Sequence, residues 1–376
     1  LMGNEDIQRL DIPEKVDGTA KFGIDVVLPG MRYATVKTSP VFGSKVEIID
    51  ASSAEKMKGV IKVVNLGDGV GVIADSYWQA KKAIAAVTVT YSASEWDNTS
   101  TDSIMAQFRT DMDKAVANGD EEEDFSEGDA RNVIELAASV ITAEYSVPYL
   151  AHITMEPMNS TALVKDGKIE VWGGTQNPLG IRAAIAEEFD IDADNVVINN
   201  VYLGGGFGRR AMKDYPIQAV KLASALPGVP VKMIWSREED VQHDFYRPAI
   251  VSRFKAVLGN SGLPTAWENQ YVDKHEPKEA PYIPYQVDNQ FVHFIESPTH
   301  IPFGPWRSVD HSQHAFFTES FIDELAHAAD QDAFQYRRTL LQSDPRYLKV
   351  LDAVAKTSDW DRPLPQGWGR GIAIHG

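Results

Sequence analysis

Three consecutive glycines, Gly204-Gly205-Gly206, stand between a run that reads as a strand, Asn195–Tyr202, and one that reads as a helix, Lys213–Ala225. Such a junction leaves bare backbone at a strand end, where open α/β sheets bind their ligands. The whole turn, Tyr202-Leu203-Gly204-Gly205-Gly206-Phe207-Gly208-Arg209-Arg210, offers several N–H groups in series, as anion-binding nests do, and two arginines beside them supply charge. The same glycines equally suit a tight strand-to-helix turn. Arg209 stands where G-x-G-x-x-G needs its last glycine, and the spacing does not fit a P-loop.

The pattern around this turn predicts an α/β (α+β) chain. From Gly23 to about Ser92, Met31–Thr38, Lys45–Ile49, Val60–Leu66, Val70–Ala74 and Val87–Tyr91 read as strands, with helices over Ser52–Met57 and Ser76–Ala86. A helix ending near Asn118 follows, and the acidic run Asp120–Asp124 reads as a solvated loop without function. The larger body beyond has strands over Val140–Val147, Ser160–Lys165, Lys168–Trp172 and Val231–Trp235, the second and third of them made a hairpin by the turn Asp166-Gly167, a helix over Leu179–Phe189, and a hairpin of Ser252–Leu258 with Pro264–Val272. Ser236-Arg237-Glu238-Glu239 has capping-box spacing. His275–Pro305, with six prolines and little periodicity, reads as a long ordered loop. Three helices then follow, Ala315–Ala329, Ala333–Leu341 and Arg346–Thr357, and Gly371–His375 reads as the start of a strand, so the body is expected to be incomplete at its C-terminus.

Two further turns could carry chemistry. Gly173-Gly174-Thr175-Gln176-Asn177-Pro178 joins a strand to a helix, so its side chains emerge at the same sheet end; Gln176 can donate to an oxo group, while Thr175 or Asn177 can simply cap the helix. Pro302-Phe303-Gly304-Pro305-Trp306-Arg307-Ser308 presents one arginine in a rigid aromatic loop.

Composition removes several classes of function. A net charge of −18 would repel a polyphosphate backbone, so nucleic acid is not an expected partner. With no cysteine, iron–sulfur ligation and Cys-type zinc sites do not arise within these 376 residues. No apolar run approaches the roughly 18–20 residues of a membrane span, and the first residues lack a targeting layout, leaving cytoplasm and periplasm both open.

Taken together, the three turns resemble those of one family, the molybdenum hydroxylases that include xanthine dehydrogenase, aldehyde oxidase and isoquinoline 1-oxidoreductase. Leu10–Gly18 with Phe22-Gly23-Ile24-Asp25 is similar to the start of that family's α/β hammerhead domain. His152-Ile153-Thr154-Met155-Glu156-Pro157, Gly174–Asn177, Leu203–Arg210, His243-Asp244-Phe245-Tyr246-Arg247-Pro248 and Glu319–Leu325 then follow in the family's order. The resemblance implies a hammerhead domain over residues 1–100 and the first part of a molybdopterin-binding region over 101–376. It implies that Gln176 approaches the molybdenum oxo group, that Phe207 and Gly208 lie against the metal centre, and that Gly205, Gly206 and Arg209 of the same turn bind the cofactor. Arg307 would belong to the substrate pocket, and Arg337 to a segment touching the cofactor. Where xanthine dehydrogenase has Lys-Glu after the glycine turn, this chain has Arg210-Ala211, so a purine-binding glutamate is missing and the resemblance turns to the isoquinoline 1-oxidoreductase beta-subunit branch.

The resemblance further implies molybdenum held by a molybdopterin, as its cytosine dinucleotide, and not by protein side chains. It implies a 2Fe–2S iron–sulfur partner subunit, and hydroxylation of an N-heterocycle or aldehyde with water as oxygen source. The family's general base, a glutamate in a Gly-Val-Gly-Glu segment, has no counterpart here. Glu156 is expected to be structural and Glu319 to face helix neighbours, so the chain alone is expected to be inert and free of cofactor. Two other readings compete. His243, His275, His311 and His314 suggest a zinc hydrolase, though no His-Glu-x-x-His occurs. The 8 Trp and 13 Tyr suggest a non-catalytic module binding carbohydrate or a partner.

Overall fold

A computed structural model describes residues 4, 7–120, 122–273 and 280–375. Gly69–Ala74, a strand without one polar side chain, is buried along its whole length between Arg32–Thr38 and Val60–Asn65, antiparallel to both. An unbroken apolar run is what a strand covered on both faces requires. Arg32–Thr38 needs a partner on its second edge and finds it far along the chain: Val231–Ile234 runs parallel to it, with Arg32 opposite Val231. The result is a seven-stranded sheet in the order Val196–Asn200, Lys168–Gly173, Asn159–Lys165, Val231–Ile234, Arg32–Thr38, Gly69–Ala74, Val60–Asn65.

The hairpin in this sheet turns at Asp166-Gly167, both at positive φ (51° and 75°), the conformation that dipeptide accepts most readily. Helix Asp214–Ser224 buries Tyr215, Ala219, Val220, Leu222 and Ala223 in one core with Ala34, Val36, Met158, Val171, Met233 and Trp235. Ser236 accepts from the Glu239 N–H, but the reciprocal half of the capping box is not made; the Glu239 carboxylate accepts from the Thr38 N–H instead, 2.8 Å away.

The chain divides into two units, each made of three stretches. Unit 1 is Leu1–Asn98, Ala151–Arg247 and His300–Trp306; unit 2 is Thr99–Leu150, Pro248–Thr299 and Arg307–Gly376. The self-contained domain expected over residues 1–100 is therefore corrected. The chain does leave unit 1 after Asn98, but the strands before that point share a sheet with strands beyond Ala151.

Unit 2 has a five-stranded sheet, ordered Glu122–Glu127, Gln290–Glu296, Pro264–Asp273, Ile250–Leu258, Ile141–Val147. One face packs Ile250, Phe254, Ala256 and Trp267 against Phe317, Phe321 and Leu325 of helix His311–Ala328, with Tyr336 and Leu340 from the helix Ala333–Leu340. Four expectations are corrected here. Part of the acidic run forms the edge strand Glu122–Glu127, where charged side chains are tolerated because that edge faces no further strand. The expected loop contains the strand Gln290–Glu296, and the part of it at 274–279 lies outside the described residues. Ser52–Met57 forms turns rather than a helix, and Gly371–His375 has no ladder partner among the described residues.

On the other face of that sheet Glu268 is buried beside Lys255 Nζ (3.0 Å) and His293 Nε2 (3.8 Å). Burial alone would raise its carboxyl; His293 and Lys255 outweigh burial and hold it at about 2, against an ordinary 4.5. A depressed folded-state value stabilises the fold above the unfolded value, and that contribution is lost as pH falls from about 4.5 toward about 2. Lys255→Met is expected to move the acid unfolding transition, followed by tryptophan emission, to higher pH. A transition at unchanged pH would show that the pair stabilises nothing.

Candidate functional site

Three glycines of the turn are required by close approaches of the chain to itself. A Cβ at Gly204 would lie 2.5 Å from the Glu156 Cβ, one at Gly206 would lie 2.5 Å from Gln176 Oε1, and one at Gly208 (φ 111°) would overlap the Pro305 carbonyl oxygen. Two N–H groups are used internally, Gly204 to Glu156 Oε2 (2.7 Å) and Gly208 to Gln176 Oε1 (3.1 Å). Those of Gly205, Gly206 and Phe207 have no acceptor among the described residues. The tight-turn reading thus explains the glycines, and the nest reading describes the three N–H groups left over.

Gln176 sits opposite this nest. Its neighbours are occupied with local structure: Thr175 Oγ1 donates to the Arg210 carbonyl (2.9 Å), and Asn177 caps the helix Pro178–Glu188 by accepting from the Gly180 N–H (3.0 Å). Gln176 is exposed, and its backbone N–H is tied to the Arg210 carbonyl at 3.1 Å. Only an amide oxygen can accept from the Gly208 N–H, so the orientation of the amide follows: the NH2 end is the one left to donate.

The two arginines do not supply free charge to this turn, and that expectation is corrected. Arg209 is 1% exposed; its guanidinium donates to both Asp214 oxygens (2.9 and 2.6 Å), and its Nε lies 2.9 Å from Asp244 Oδ1. Burial opposes its charge, and Asp214, Asp244 and Asp240 more than offset burial. Arg210, fully buried, donates to the Gly205 carbonyl (2.8 Å), the Glu156 carbonyl (2.7 Å) and Glu156 Oε2 (3.0 Å). Glu156 also accepts from the Ile24 N–H (2.8 Å) and Asn159 Nδ2 (2.9 Å). These residues brace the turn from behind, and the pairing of Arg210 with Glu156, 54 positions away, is not legible in the sequence.

Backbone strain marks the same segments. Among the described residues eight non-glycine positions have positive φ; four are aspartates, Asp166, Asp190, Asp330 and Asp359, and the others are Ile153 (46°), Phe207 (55°), Ser308 (71°) and Val309 (48°). Aspartate visits this region readily, whereas β-branched and aromatic residues are held there only when the surroundings demand it. Phe207 keeps its side chain 44% exposed.

Gln176 and the turn Gly205–Arg209 are brought together within unit 1, while Arg307 and Arg337 belong to unit 2. Arg307 is exposed, immediately before Ser308 and Val309, and makes no ion pair or hydrogen bond among the described residues. Arg337 is fully buried and spends its donors inside the chain, on Glu319 Oε2 (2.9 Å), Asp323 Oδ1 (2.6 Å) and the Glu319 carbonyl (3.0 Å). Glu319 also accepts from the Tyr285 hydroxyl (2.8 Å) and the Ile374 N–H (2.9 Å).

The competing readings lose their geometry. His243 Nε2 meets the Ser39 carbonyl in unit 1, the His311 ring meets His375 in unit 2, and His275 lies outside the described residues. Among the described residues no group of three or more His, Asp or Glu side chains could hold a metal ion. Trp235, Trp267, Tyr215, Tyr271 and Tyr336 are core residues, and of the most exposed tryptophans Trp78 lies under Lys82 in unit 1 and Trp368 in unit 2.

The free N–H groups at this strand end stand beside a pinned amide donor, an arrangement that can hold an electronegative ligand on backbone donors. Residues 111–341, well over half of the chain, match the family described as molybdopterin cofactor-binding domain. The chain is 31% identical over 386 residues to a membrane-bound aldehyde dehydrogenase of Gluconacetobacter polyoxogenes named for pyrroloquinoline-quinone, covering 92% of this chain and 48% of that protein. It is 28% identical over 398 residues to isoquinoline 1-oxidoreductase subunit beta of Brevundimonas diminuta (98% and 50%). Quinoline 2-oxidoreductase from Pseudomonas putida 86 shares the fold, with a TM-score of 0.76, 18% identity and coverage of 94% and 54%. The chain spans about half the length of the curated relatives it matches. It belongs to the molybdopterin cofactor-binding domain family, as found in the molybdenum-binding subunits of xanthine oxidase-family hydroxylases.

Proposed function

We propose that this chain forms the first half of a molybdopterin site in an enzyme that hydroxylates an N-heterocycle or an aldehyde, with water as oxygen source. The observation that carries the proposal is the Gln176 amide, turned by the Gly208 N–H so that its NH2 faces outward beside the free N–H groups of Gly205, Gly206 and Phe207. Bound there as its cytosine dinucleotide, the molybdopterin would supply the two-electron redox chemistry at its molybdenum, and a 2Fe–2S subunit would carry the electrons away.

The chain's own residues bind and orient. The nest and Gln176 offer fixed donors to the electronegative edge of the cofactor, and such preorganised donors need no rearrangement when charge develops. Exposed Arg307 is proposed as the cation that draws substrate. Arg337 acts at one remove, fixing the helix Ala333–Leu340 against Glu319. Proton removal is assigned to no residue of this chain, since Glu156 and Glu319 are already engaged by internal donors.

Two measurements test the proposal. Molybdenum content and dye reduction with an N-heterocycle or aldehyde are expected in the full gene product with its iron–sulfur subunit and not in the isolated chain; turnover by the isolated chain would sink it. Gln176→Glu keeps an acceptor for the Gly208 N–H but removes the outward donor, so in the complex it is expected to lower turnover by roughly tenfold, the worth of one hydrogen bond, at unchanged thermal stability. Full turnover in that variant would remove Gln176 from the site.

A further inference from the structure

The Pro305 carbonyl occupies the space a side chain at Gly208 would fill, and something must hold it there. His152 does: its Nε2 lies 3.1 Å from the Pro305 oxygen. The ring is 1% exposed and gripped from behind by Asp244, whose Oδ1 and Oδ2 lie 3.0 and 3.1 Å from Nδ1 and whose Oδ2 also accepts from the His152 backbone N–H. Asp244 accepts as well from the Phe245 N–H (2.7 Å) and faces Arg209 Nε, so the charged groups on this side of the ring are Asp244 and, across it, Arg209 with its own partner Asp214.

The two contacts of the ring decide its protons. A carboxylate and a peptide carbonyl only accept, so the ring makes both contacts as hydrogen bonds only when both nitrogens carry a proton. A neutral ring has one N–H and can keep one of the two bonds. It keeps the charge-assisted bond to Asp244, the stronger of the pair, and gives up Pro305. The rest of the Pro305 segment has separate anchors: Phe303 pairs with Tyr246, the Gly304 N–H donates to the Tyr246 carbonyl (3.2 Å), and His300 stacks on Trp96 at 4.5 Å. Loss of the His152 contact therefore acts locally, on the carbonyl that presses Gly208.

We propose that His152 is a positioning residue whose ring, donating from Nε2, holds the Pro305 carbonyl on Gly208 and so aims Gln176. The consequence for Gln176 rests on the function proposed above; the hold itself does not.

The test is hydrogen exchange at the Gly208 amide, expressed as protection so that intrinsic pH effects cancel, in the chain and in His152→Phe. Protection is expected to fall about tenfold in the variant, as suits one lost hydrogen bond. The Val220 amide, in the helix Asp214–Ser224, should not respond. Nitrogen NMR shifts of labelled histidine should show the His152 Nε2 protonated, as donation to the Pro305 carbonyl requires. An unprotonated Nε2, or equal Gly208 protection in the two proteins, overturns the proposal. If His152→Phe does not fold, the nitrogen shifts still decide. Loss of Gly208 protection in the full complex with unchanged molybdopterin retention would uphold the hold and count against the cofactor reading.

Discussion

Gly208→Ala is expected to destabilise unit 1 by roughly 2–6 kcal/mol, the sum of about 1–3 for a side chain held at a backbone conformation suited to glycine and about 1–3 for overpacking. The first contribution follows from φ 111°, the second from the Pro305 carbonyl standing where the new methyl must go. Gly43→Ala separates them. Gly43 also has positive φ (92°), but nothing lies within 4 Å of the position its Cβ would take, so only the conformational cost applies. Urea denaturation of both variants reads the difference, and equal losses would mean that the Pro305 segment simply gives way.

Glu156→Ala is the second large effect, with an expected loss of about 3–5 kcal/mol, the usual cost of removing one partner from a buried ion pair. The guanidinium of Arg210 would stay fully buried without its carboxylate, and the N–H groups of Ile24 and Gly204 would lose their acceptor. Removing Arg210 as well, in Glu156→Ala/Arg210→Met, is expected to recover part of the loss, because two apolar groups replace a charge left alone. The measurement is a double-mutant cycle by denaturant unfolding. A single-variant loss below about 1 kcal/mol would show that water reaches Arg210 and that the brace behind the turn is weaker than its geometry indicates.

The elements that were legible in the sequence are those whose signal is local. Asp166-Gly167 marked a hairpin because that dipeptide accepts positive φ, and Ser236 marked a helix start because its hydroxyl reaches the Glu239 N–H. The strand Gln290–Glu296 was not legible: Gln290–Ile295 are all buried, so no alternation betrays it, and prolines stand on both sides. The edge strand Glu122–Glu127 was hidden for the opposite reason, as its acidic side chains suit solvent and only pairing with Gln290–Phe294 makes it a strand.

The site divides in the same way. Its glycines, Gln176 and Phe207 stood out as motifs, and the geometry places them together. The neutralisation of Arg210 could not be read, because Glu156 lies 54 positions from it along the chain; Arg209 has one partner nearby, Asp214, and a second, Asp244, 35 positions on. His152 was visible only as one letter of a motif, since its importance depends on a carbonyl 153 positions away.

The interleaving of the two units has a consequence for synthesis. The chain passes between units five times, and the second edge of Arg32–Thr38 stays open until Val231 has been made, 199 residues later (231 − 32). At roughly 5–20 residues per second, a ribosome leaves that edge unpaired for about 10–40 s, with the apolar strand Gly69–Ala74 waiting beside it. Exposed strand edges of this kind recruit other chains, so the nascent protein has to be shielded over that interval, and a product truncated before Val231 should be insoluble rather than merely smaller.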